Sequence, residues 1–195
     1  MISAVVLAAG ASRRMGKPKM LLPWGSTSVI ARVVDILIES GVKFPVVVTG
    51  RTSQEVKDCL SGRPVGWAHN PDYENSEMLQ SLQIGIPLLP EMAGAFLVVL
   101  GDQPQIERIV VKQLIQEYRR RNSVLIIPSY QYRRGHPWLV RRDLWPELLS
   151  LPAHASLRVF LNAHASDIVY LNVESPSVLM DLDTPEDYAR QKPGS

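Results

Sequence analysis

The sequence is poor in several features that mark particular classes of protein. Its 195 residues include one cysteine, Cys59, which excludes an intramolecular disulfide. No stretch approaches the roughly 20 apolar residues that span a membrane. The formal net charge of +2 is too small for a nucleic-acid partner, which calls for a concentrated basic face. The start, residues 1–4, lacks the basic flank and apolar core of a signal peptide. We therefore expect a cytoplasmic protein with neither a membrane nor a nucleic-acid partner.

The composition that is present is that of an ordinary globular protein. Hydrophobic residues make up 46% of the chain and charged residues 21%. A chain of this length can bury a sizeable core. We expect one domain over residues 1–195, with a frayed tail at 191–195.

Short β-rich runs alternate with longer helical patterns along the chain. The runs are continuously apolar, which is typical of strands buried on both faces of a sheet, and they lie at residues 5–7, 46–48, 95–100 and 124–127. Apolar residues at helical spacing follow at 29–38, after a capping Thr27 or Ser28, and at 109–118, before three arginines. This alternation predicts an α/β fold: a three-layer sandwich with a mainly parallel sheet between helices.

Residues 130–140 depart from this alternation. The tripeptide Arg133-Arg134-Gly135 has the composition of a hairpin turn. The sequence therefore predicts a small β-ribbon inserted in the α/β pattern.

The segment from Leu7 to Lys19, LAAGASRRMGKPK, follows the first predicted strand. Its two glycines, Gly10 and Gly16, allow a ligand to approach the main chain, and its cations supply positive charge. Loops at the carboxyl ends of parallel strands are where α/β sheets bind ligands. The pattern favours a phosphate cradle over a basic surface turn, although the loop has neither the P-loop nor the dinucleotide glycine spacing.

Three aspartates are candidates for holding a metal ion. Asp102 follows the longest apolar run, where a sheet binds ligands, although an isolated Asp there can also cap the next helix. Asp181 and Asp183 are two residues apart, so on an extended segment they point the same way. Helix capping alone accounts for one aspartate of this pair, but it accounts less easily for both. Carboxylates together with phosphate oxygens are the ligands that Mg²⁺ prefers.

Two further segments carry weaker signals. A lone histidine such as His136 is more often a structural hydrogen-bonding group than a ligand, and the other three histidines share no zinc-site spacing with it. Residues 70–85 combine a turn with a polar helix start. Ser81 in this segment either hydrogen-bonds a base or sugar or belongs to an ordinary capped helix with no ligand.

Taken together, four segments resemble blocks of the nucleotidyltransferase family that includes the molybdenum cofactor cytidylyltransferases and guanylyltransferases. Residues 7–19 resemble the family's Leu-Ala-Ala-Gly-x-Ser-x-Arg-Met-Gly-x-x-Lys loop, and residues 101–104 its metal-binding Gly-Asp-x-Pro. Residues 134–137, Arg-Gly-His-Pro, and residues 181–187, Asp-Leu-Asp-Thr-Pro-Glu-Asp, resemble two more. The blocks follow the family order across nearly the whole chain.

The resemblance implies a Rossmann-like domain in which a substrate phosphate attacks the α-phosphate of a nucleoside triphosphate and pyrophosphate leaves. It implies catalytic roles for Arg14, Lys19 and Asp102, and a site for Mg²⁺ (or Mn²⁺) at Asp102 and Asp183. The implied nucleotide-binding residues are Leu7, Ala8, Ala9, Gly10, Ser12, Arg14, Met15, Gly16, Lys19, Asn70, Ser81 and Asp102. The implied acceptor-binding residues are Gln103, Gly135, His136, Pro137, Arg158 and Asp181.

The resemblance also bears on the substrates. Family members with Leu-Ala-Ala-Gly tend to use CTP, and those with Leu-Ala-Gly-Gly use GTP, so Ala9 favours CTP. The implied acceptor is molybdenum-bound molybdopterin, and the implied partner is a molybdoenzyme or its chaperone. The alternatives are GTP, another phosphorylated acceptor, or a non-catalytic cofactor chaperone of the same fold. An NAD-dependent oxidoreductase is disfavoured by the loop's glycine spacing and its cations.

Two blocks depart from the family pattern. Members often have Gly-Met-x-x-Ser-Leu where this chain has residues 77–82, so a glycine is replaced by Glu77. They also often have Gly-Asp-x-Gly-Ala-Arg where this chain has residues 152–158, and only Arg158 clearly matches. We expect both departures to bear on the acceptor more than on the nucleotide chemistry.

Overall fold

The computed structural model describes residues 1–194, and within them the chain forms ten strands and seven α-helices. The strands are Ile2–Ala8 (β1), Pro23–Trp24 (β2), Thr27–Ser28 (β3), Val46–Thr49 (β4), Gly66–His69 (β5), Ala95–Leu100 (β6), Leu125–Tyr130 (β7), Arg133–Arg134 (β8), Trp138–Arg141 (β9) and Ile168–Asn172 (β10). The helices are Val29–Glu39 (α1), Ser53–Cys59 (α2), Met78–Gly85 (α3), Arg108–Arg121 (α4), Trp145–Ser150 (α5), Leu157–Ala163 (α6) and Pro185–Gln191 (α7).

One central sheet contains eight of these strands, and most pairs of adjacent strands in it are parallel. Its order is β10-β7-β9-β6-β1-β4-β5, with β8 paired to β7 at the side. The pairs β1–β4, β1–β6, β4–β5 and β7–β10 are parallel, whereas β9 lies antiparallel between β6 and β7. The chain leaves β1 toward β4 on one side and reaches β6 on the other. This reversal places a crevice at the carboxyl end of β1.

Two hydrophobic cores cover the two faces of the sheet. Alternate residues of β1 point to opposite faces: Ala4 and Val6 pack with α1, α2 and α4, whereas Val5 and Leu7 pack with α3, α5 and α6. The inner strands are therefore buried on both sides, as their continuous apolar runs predict. This arrangement confirms the predicted Rossmann-like α/β fold and its mainly parallel sheet.

The two helices predicted from apolar spacing are confirmed. The Ser28 hydroxyl accepts the Ala31 N–H at 3.3 Å, so Ser28 is the N-cap of α1. Asn122, whose φ of 52° is left-handed, is the C-cap of helix α4, and Arg120 and Arg121 of its last turn pair with Glu117. The basic run therefore belongs to an exposed helix end.

The hairpin between β7 and β8 differs from the predicted turn. Its turn residues are Gln131 and Tyr132, with φ of 48° and 64°, and Arg133 pairs with Tyr130. The turn predicted at Arg133-Arg134-Gly135 is therefore wrong by two residues, because the left-handed positions are occupied by non-glycine residues. This hairpin belongs to the central sheet, in which β7 lies between β10 and β9, and a separate small antiparallel sheet is formed by β2 and β3.

The C-terminal region is more ordered than the sequence predicts. Helix α7 begins with a capping box, in which Thr184 and Asp187 satisfy each other's backbone N–H groups, and it ends at Gln191. Gln191, assigned to a frayed tail, is thus the last helical residue. Residues 192–194 form neither helix nor strand. Ser195 lies outside the described residues.

No helix within residues 1–194 is long and apolar enough to cross a membrane.

His164, at the end of α6, gives folding a predictable pH dependence. Its Nδ1 lies 3.0 Å from Asp167 and its Nε2 lies 2.7 Å from Glu147 on α5. Burial lowers the pKa of His164, but the hydrogen bonds to the two carboxylates outweigh it, and the net pKa is raised above 6.5. The imidazolium donates to both carboxylates, whereas the neutral ring donates to one.

We therefore expect His164→Gln to cost about 1 kcal/mol of unfolding free energy near pH 6. The stabilisation is fully present below the unfolded pKa and disappears as pH rises through the raised folded pKa. Urea titrations at pH 6 and pH 9 measure this. An equal loss at both pH values would show that the charge of His164 contributes nothing.

Candidate active site

The crevice at the carboxyl end of β1 brings together two segments that are far apart in sequence. Leu7 of β1 pairs with Leu100 of β6, and the Gly101 N–H donates to the Leu7 carbonyl at 3.0 Å. A Cβ atom on Gly101 would lie 2.9 Å from that oxygen, so the close approach requires glycine. Asp102 therefore lies beside the loop that leaves β1.

The loop from Ala9 to Lys19 is folded by contacts of its own. Ser12 and Gly16 have φ of 51° and 67°, and the Gly16 N–H donates to the Ser12 carbonyl at 3.2 Å. The Ser12 hydroxyl accepts the Lys19 N–H at 3.3 Å. Met15 is buried in a small core with Trp24, Val29 and Leu182. The loop is thus anchored at Met15, while its cations remain at the crevice.

Lys19 lies between two carboxylates. Its Nζ donates to Asp102 and lies 3.4 Å from Asp183 Oδ1, and the Arg14 guanidinium contacts Asp183 Oδ2 at 2.8 Å. The Lys19 and Asp102 side chains are only 11% and 13% exposed, whereas Arg14 is 71% exposed. A half-buried charge cluster therefore lies at the strand ends, with Arg14 reaching over it from solvent.

The backbone holds Asp183 and its neighbour Asp181 in this cluster. The Leu182 N–H donates to the Asp102 carbonyl at 3.1 Å, which ties the segment to the end of β6. Burial raises the pKa of Asp181, and the charges of Asp183 and Asp102 raise it further. Three carboxylates thus share a small volume in which further negative charge is unfavourable and positive charge is stabilised.

The carboxylates are suited to a divalent cation that is also held by phosphate. Asp102 and Asp183 converge on one atom, Lys19 Nζ, so their oxygens face a common point. No group of three or more His, Cys, Asp or Glu side chains within residues 1–194 is arranged to hold a metal ion. Mg²⁺ is commonly bound by one or two carboxylates together with substrate phosphates, and two hard oxygen donors fit that mode.

A cleft of about 260 Å³ lies beside the charge cluster. Its charged lining residues include Arg14, Lys19, Asp102, Asp181 and Asp183. The 70–81 segment contributes Tyr73, Ser76, Glu77, Met78 and Ser81 to the same lining. Leu7, Ala9 and Gly10 of the first strand and loop line the same cleft. The cleft therefore offers a ligand charged groups together with polar and aromatic ones.

Asn70 lies behind this cleft rather than in it. It is fully buried, and its amide donates to Ser76 at 2.8 Å and to Ser81 at 3.0 Å. Its side-chain oxygen accepts the Asp72 N–H at 3.0 Å. On the outside, Arg13 donates to the Glu74 carbonyl at 3.1 Å and joins the two loops. Asn70 thus orients the serines that line the cleft.

The remaining residues that are predicted to bind nucleotide divide into two groups. Ala8, Ser12 and Gly16 line a neighbouring cleft behind the loop, with Arg13, Lys17 and Arg51. Met15 packs in the small core and lines none of the clefts described here. The loop therefore has two polar sides that share Gly10, where no protein atom lies within 4 Å of an added Cβ.

A second cleft, of about 470 Å³, adjoins the first at Glu77 and Met78. Its lining combines apolar residues with two arginines: Leu79, Arg134, Trp138, Ser156, Leu157, Arg158, Leu161 and Asn162. Of the predicted acceptor residues, Arg158 lines this cleft and Asp181 lines the first. Gly135, His136, Pro137 and Gln103 line neither.

The Arg-Gly-His-Pro block instead contacts the segment that leads to Asp181. A Cβ on Gly135 would lie 2.5 Å from the Val178 carbonyl, and the His136 N–H donates to that carbonyl at 2.9 Å. The His136 ring stacks on Trp138 at 4.5 Å. Its Nδ1 is buried without a partner, and burial lowers its pKa to about 4, so the ring is neutral at physiological pH. Gly135 and His136 therefore support the acidic segment from behind, whereas Arg134 of the same block lines the second cleft.

Several lining residues have no sequence signal of their own. Tyr73 and Ser76 line the first cleft, and Trp138 lines the second. The departure at Glu77 from the family pattern is the nearest signal, since it marks the segment where the two clefts meet. The others are brought in by the fold of the 70–81 segment and by β9.

Comparison with known proteins agrees with this geometry. Over 98% of this chain and 95% of its own length, the molybdenum cofactor cytidylyltransferase of Escherichia coli (strain K12) is 27% identical. Nicotine blue oxidoreductase of Paenarthrobacter nicotinovorans is 28% identical over 97% of this chain and 95% of its own. Relatives of similar identity thus carry names for different reactions.

Solved structures share the fold over nearly the whole chain. The crystal structure of Rv0371c from Mycobacterium tuberculosis H37Rv matches with a TM-score of 0.84 and 27% identity, over 97% of this chain and 95% of that one. A complex of the same protein with manganese matches with a TM-score of 0.80 and 26% identity, over 97% and 96%. The MobA-like NTP transferase domain matches residues 4–168. The chain therefore belongs to the MobA-like NTP transferase domain family of nucleotidyltransferases.

Proposed function

We propose that the protein transfers CMP from CTP to the phosphate of molybdenum-bound molybdopterin and releases pyrophosphate. The observation that carries this proposal is the convergence of Arg14, Lys19, Asp102 and Asp183 at the carboxyl ends of β1 and β6. Transfer to an acceptor that is already an anion needs no protein nucleophile. It needs positioning and charge neutralisation, which this cluster supplies.

The loop after β1 holds the triphosphate. Lys19 and Arg14 are long cations anchored on carboxylates that line the cleft, and each can turn toward phosphate oxygens that enter beside them. Because the Lys19 side chain is nearly buried, its charge acts in a region of low solvent screening. Lys19 and Arg14 thereby stabilise the charge that develops as the α-phosphate is attacked.

Asp102 and Asp183 would hold a divalent cation, Mg²⁺ or Mn²⁺. Such an ion supplies charge neutralisation and alignment of the phosphates. The manganese complex of Rv0371c supports a divalent cation in this family. Asp102 is fixed by the end of β6, and Asp183 by the Leu182 N–H, so both carboxylates are positioned before substrate binds.

The assignment of CTP rests on Ala9. Its methyl group lines the first cleft where a glycine would leave more room, which favours the smaller pyrimidine base. The acceptor would lie in the second cleft, with its anionic group toward Arg134 or Arg158 and its ring against Trp138. The E. coli relative's name supports both substrates. A molybdoenzyme or its chaperone would take the product in the cytoplasm.

Pyrophosphate release tests the reaction. We expect the protein with MgCTP and molybdenum-bound molybdopterin to release pyrophosphate and form the cytosine dinucleotide, with little release when acceptor is omitted. Parallel reactions with GTP in place of CTP test the base assignment, and reactions with another phosphorylated pterin test the acceptor assignment. Transfer from GTP but not from CTP would reject the cytidylyl assignment.

An oxidoreductase is the second candidate, because the Paenarthrobacter relative of that name matches nearly the whole chain. A thermal shift with CTP, GTP and NAD, each with and without Mg²⁺, separates the two. At 100 times Kd a ligand adds about 2.7 kcal/mol, which raises Tm by about 5–10 °C for a chain of this size. We expect this shift with CTP and only with Mg²⁺. A metal-independent shift with NAD would favour the oxidoreductase, and binding of CTP without turnover would favour a non-catalytic chaperone.

A further inference from the structure

Glu77 is a carboxylate that the cleft contains and the proposed reaction does not yet use. It is exposed and lines both the first cleft and the second, whereas Lys19 lines only the first of these two. Its side chain takes part in none of the hydrogen bonds or ion pairs of residues 1–194. It is therefore available to a ligand.

Local structure does not account for Glu77. It occupies the N-cap position of α3, with φ of −81° and ψ of 165°, but its side chain accepts no backbone N–H there. Ser28 and Thr184, at the same position of α1 and α7, do accept such bonds. Capping is thus not the role of this carboxylate.

The surroundings of Glu77 indicate which part of a nucleotide it meets. The cations and carboxylates proposed to meet the phosphates and the metal, namely Arg14, Lys19, Asp102 and Asp183, line the first cleft but not the second, which Glu77 also lines. Near Glu77 the lining residues Tyr73, Ser76 and Ser81 are uncharged. An aromatic ring and hydroxyls suit a base or sugar, whereas a carboxylate repels phosphate. Glu77 therefore faces the nucleoside part.

The segment that carries Glu77 is also held in place. Asn70 bonds Ser76 and Ser81 on either side of Glu77, and Arg13 bonds the Glu74 carbonyl. A residue that recognises the base needs such fixed placement, because specificity is lost when the contacts that support the residue are loose.

We propose that Glu77 is a specificity-determining residue that accepts a hydrogen bond from the exocyclic amino group of the nucleobase. An ionised carboxylate only accepts hydrogen bonds. Cytosine presents an amino group at position 4, where uracil presents a carbonyl oxygen, and protein carboxylates pair with that amino group. Glu77 thus favours CTP and repels UTP. The proposal rests on the proposed function and adds a hydrogen-bond acceptor to the steric effect of Ala9. It assigns Glu77 to the nucleotide, whereas the departure from the family pattern at this residue was expected to bear more on the acceptor.

Nucleotide binding tests this without an acceptor. Affinities for MgCTP and MgUTP are measured by calorimetry for the unaltered protein, Glu77→Gln and Asp72→Asn. We expect the unaltered protein to bind CTP at least about tenfold more tightly than UTP. Because the Gln amide both donates and accepts, Glu77→Gln is expected to reduce this preference to about twofold or less. Asp72→Asn removes an equal charge from the same loop outside the cleft and is expected to keep the preference.

The two proposals fail in different ways. A protein that binds CTP but gives no product with molybdopterin rejects the acceptor while the CTP–UTP comparison still tests Glu77. If GTP binds instead of CTP, the comparison is made between GTP and ITP, which lacks the 2-amino group. A preference for GTP that Glu77→Gln removes then supports the same hydrogen-bonding role of Glu77. A preference unchanged in Glu77→Gln overturns the role of Glu77. Binding of no nucleotide overturns both proposals.

Discussion

Asp102→Asn is expected to lower the rate of nucleotidyl transfer by about 10²–10³-fold while leaving the fold intact. Asparagine has nearly the same shape, so the change removes the charge and little else. The carboxylate is only 13% exposed and faces Lys19, where solvent screens little, so its loss weakens both cation binding and the placement of Lys19. Pyrophosphate release under saturating MgCTP measures the rate, and circular dichroism checks the fold.

Asp35→Asn is the matched control for this variant. Asp35 on α1 holds Arg63 through two hydrogen bonds of 2.6 and 2.8 Å, outside the clefts. The control also loses an aspartate–cation pair, and we expect it to keep the transfer rate. Full activity in Asp102→Asn would remove Asp102 from the metal site.

Lys19→Met is expected to reduce both stability and activity. Lys19 Nζ contacts Asp102 and Asp183 together, so its removal leaves two carboxylates facing each other next to Asp181. Removing one partner of a half-buried ion pair costs about 3 kcal/mol, which lowers Tm by about 6–12 °C for a chain of this size. The transfer rate is expected to fall about 10²–10³-fold, since a cation at the phosphates is lost.

Mg²⁺ provides a further check on Lys19→Met. A divalent cation can replace the missing charge between the carboxylates, so we expect added Mg²⁺ to recover part of the lost Tm in this variant. Lys17→Met removes an exposed cation from the same loop and is expected to change stability by less than about 0.5 kcal/mol. A Lys19→Met protein as stable as the Lys17→Met protein would contradict the electrostatic role of Lys19.

Local patterns were enough to predict the elements that carry the site. The apolar runs before Leu7 and Asp102 are strands β1 and β6, and the glycines and cations after Leu7 form a loop at the strand end. Strand and helix periodicities are properties of neighbouring residues, so they can be read along the chain. The turn at Gln131 and Tyr132 was misplaced because its left-handed residues are not glycine.

Other assignments depended on contacts that no local pattern specifies. Met15 packs in a small core and Asn70 is buried behind two serines, so nucleotide binding by these two residues stays a prediction. Gly135 lies against Val178 and supports the acidic segment. A motif shows which residue type a position needs. It does not show whether that residue contacts the ligand or supports the site from the core, because either role can require the same residue type.

The sequence by itself determined the α/β alternation, the cationic loop at Gly10 and Gly16, and the two acidic segments at Asp102 and Asp183. Only the tertiary structure decided that Lys19 lies between those carboxylates, which are 83 and 164 residues away from it, and that Glu77 lines both clefts. The physical reason is that the order of strands in the sheet sets which strand ends are neighbours. That order follows from how the helices bury both faces of the sheet, which is a property of the whole chain.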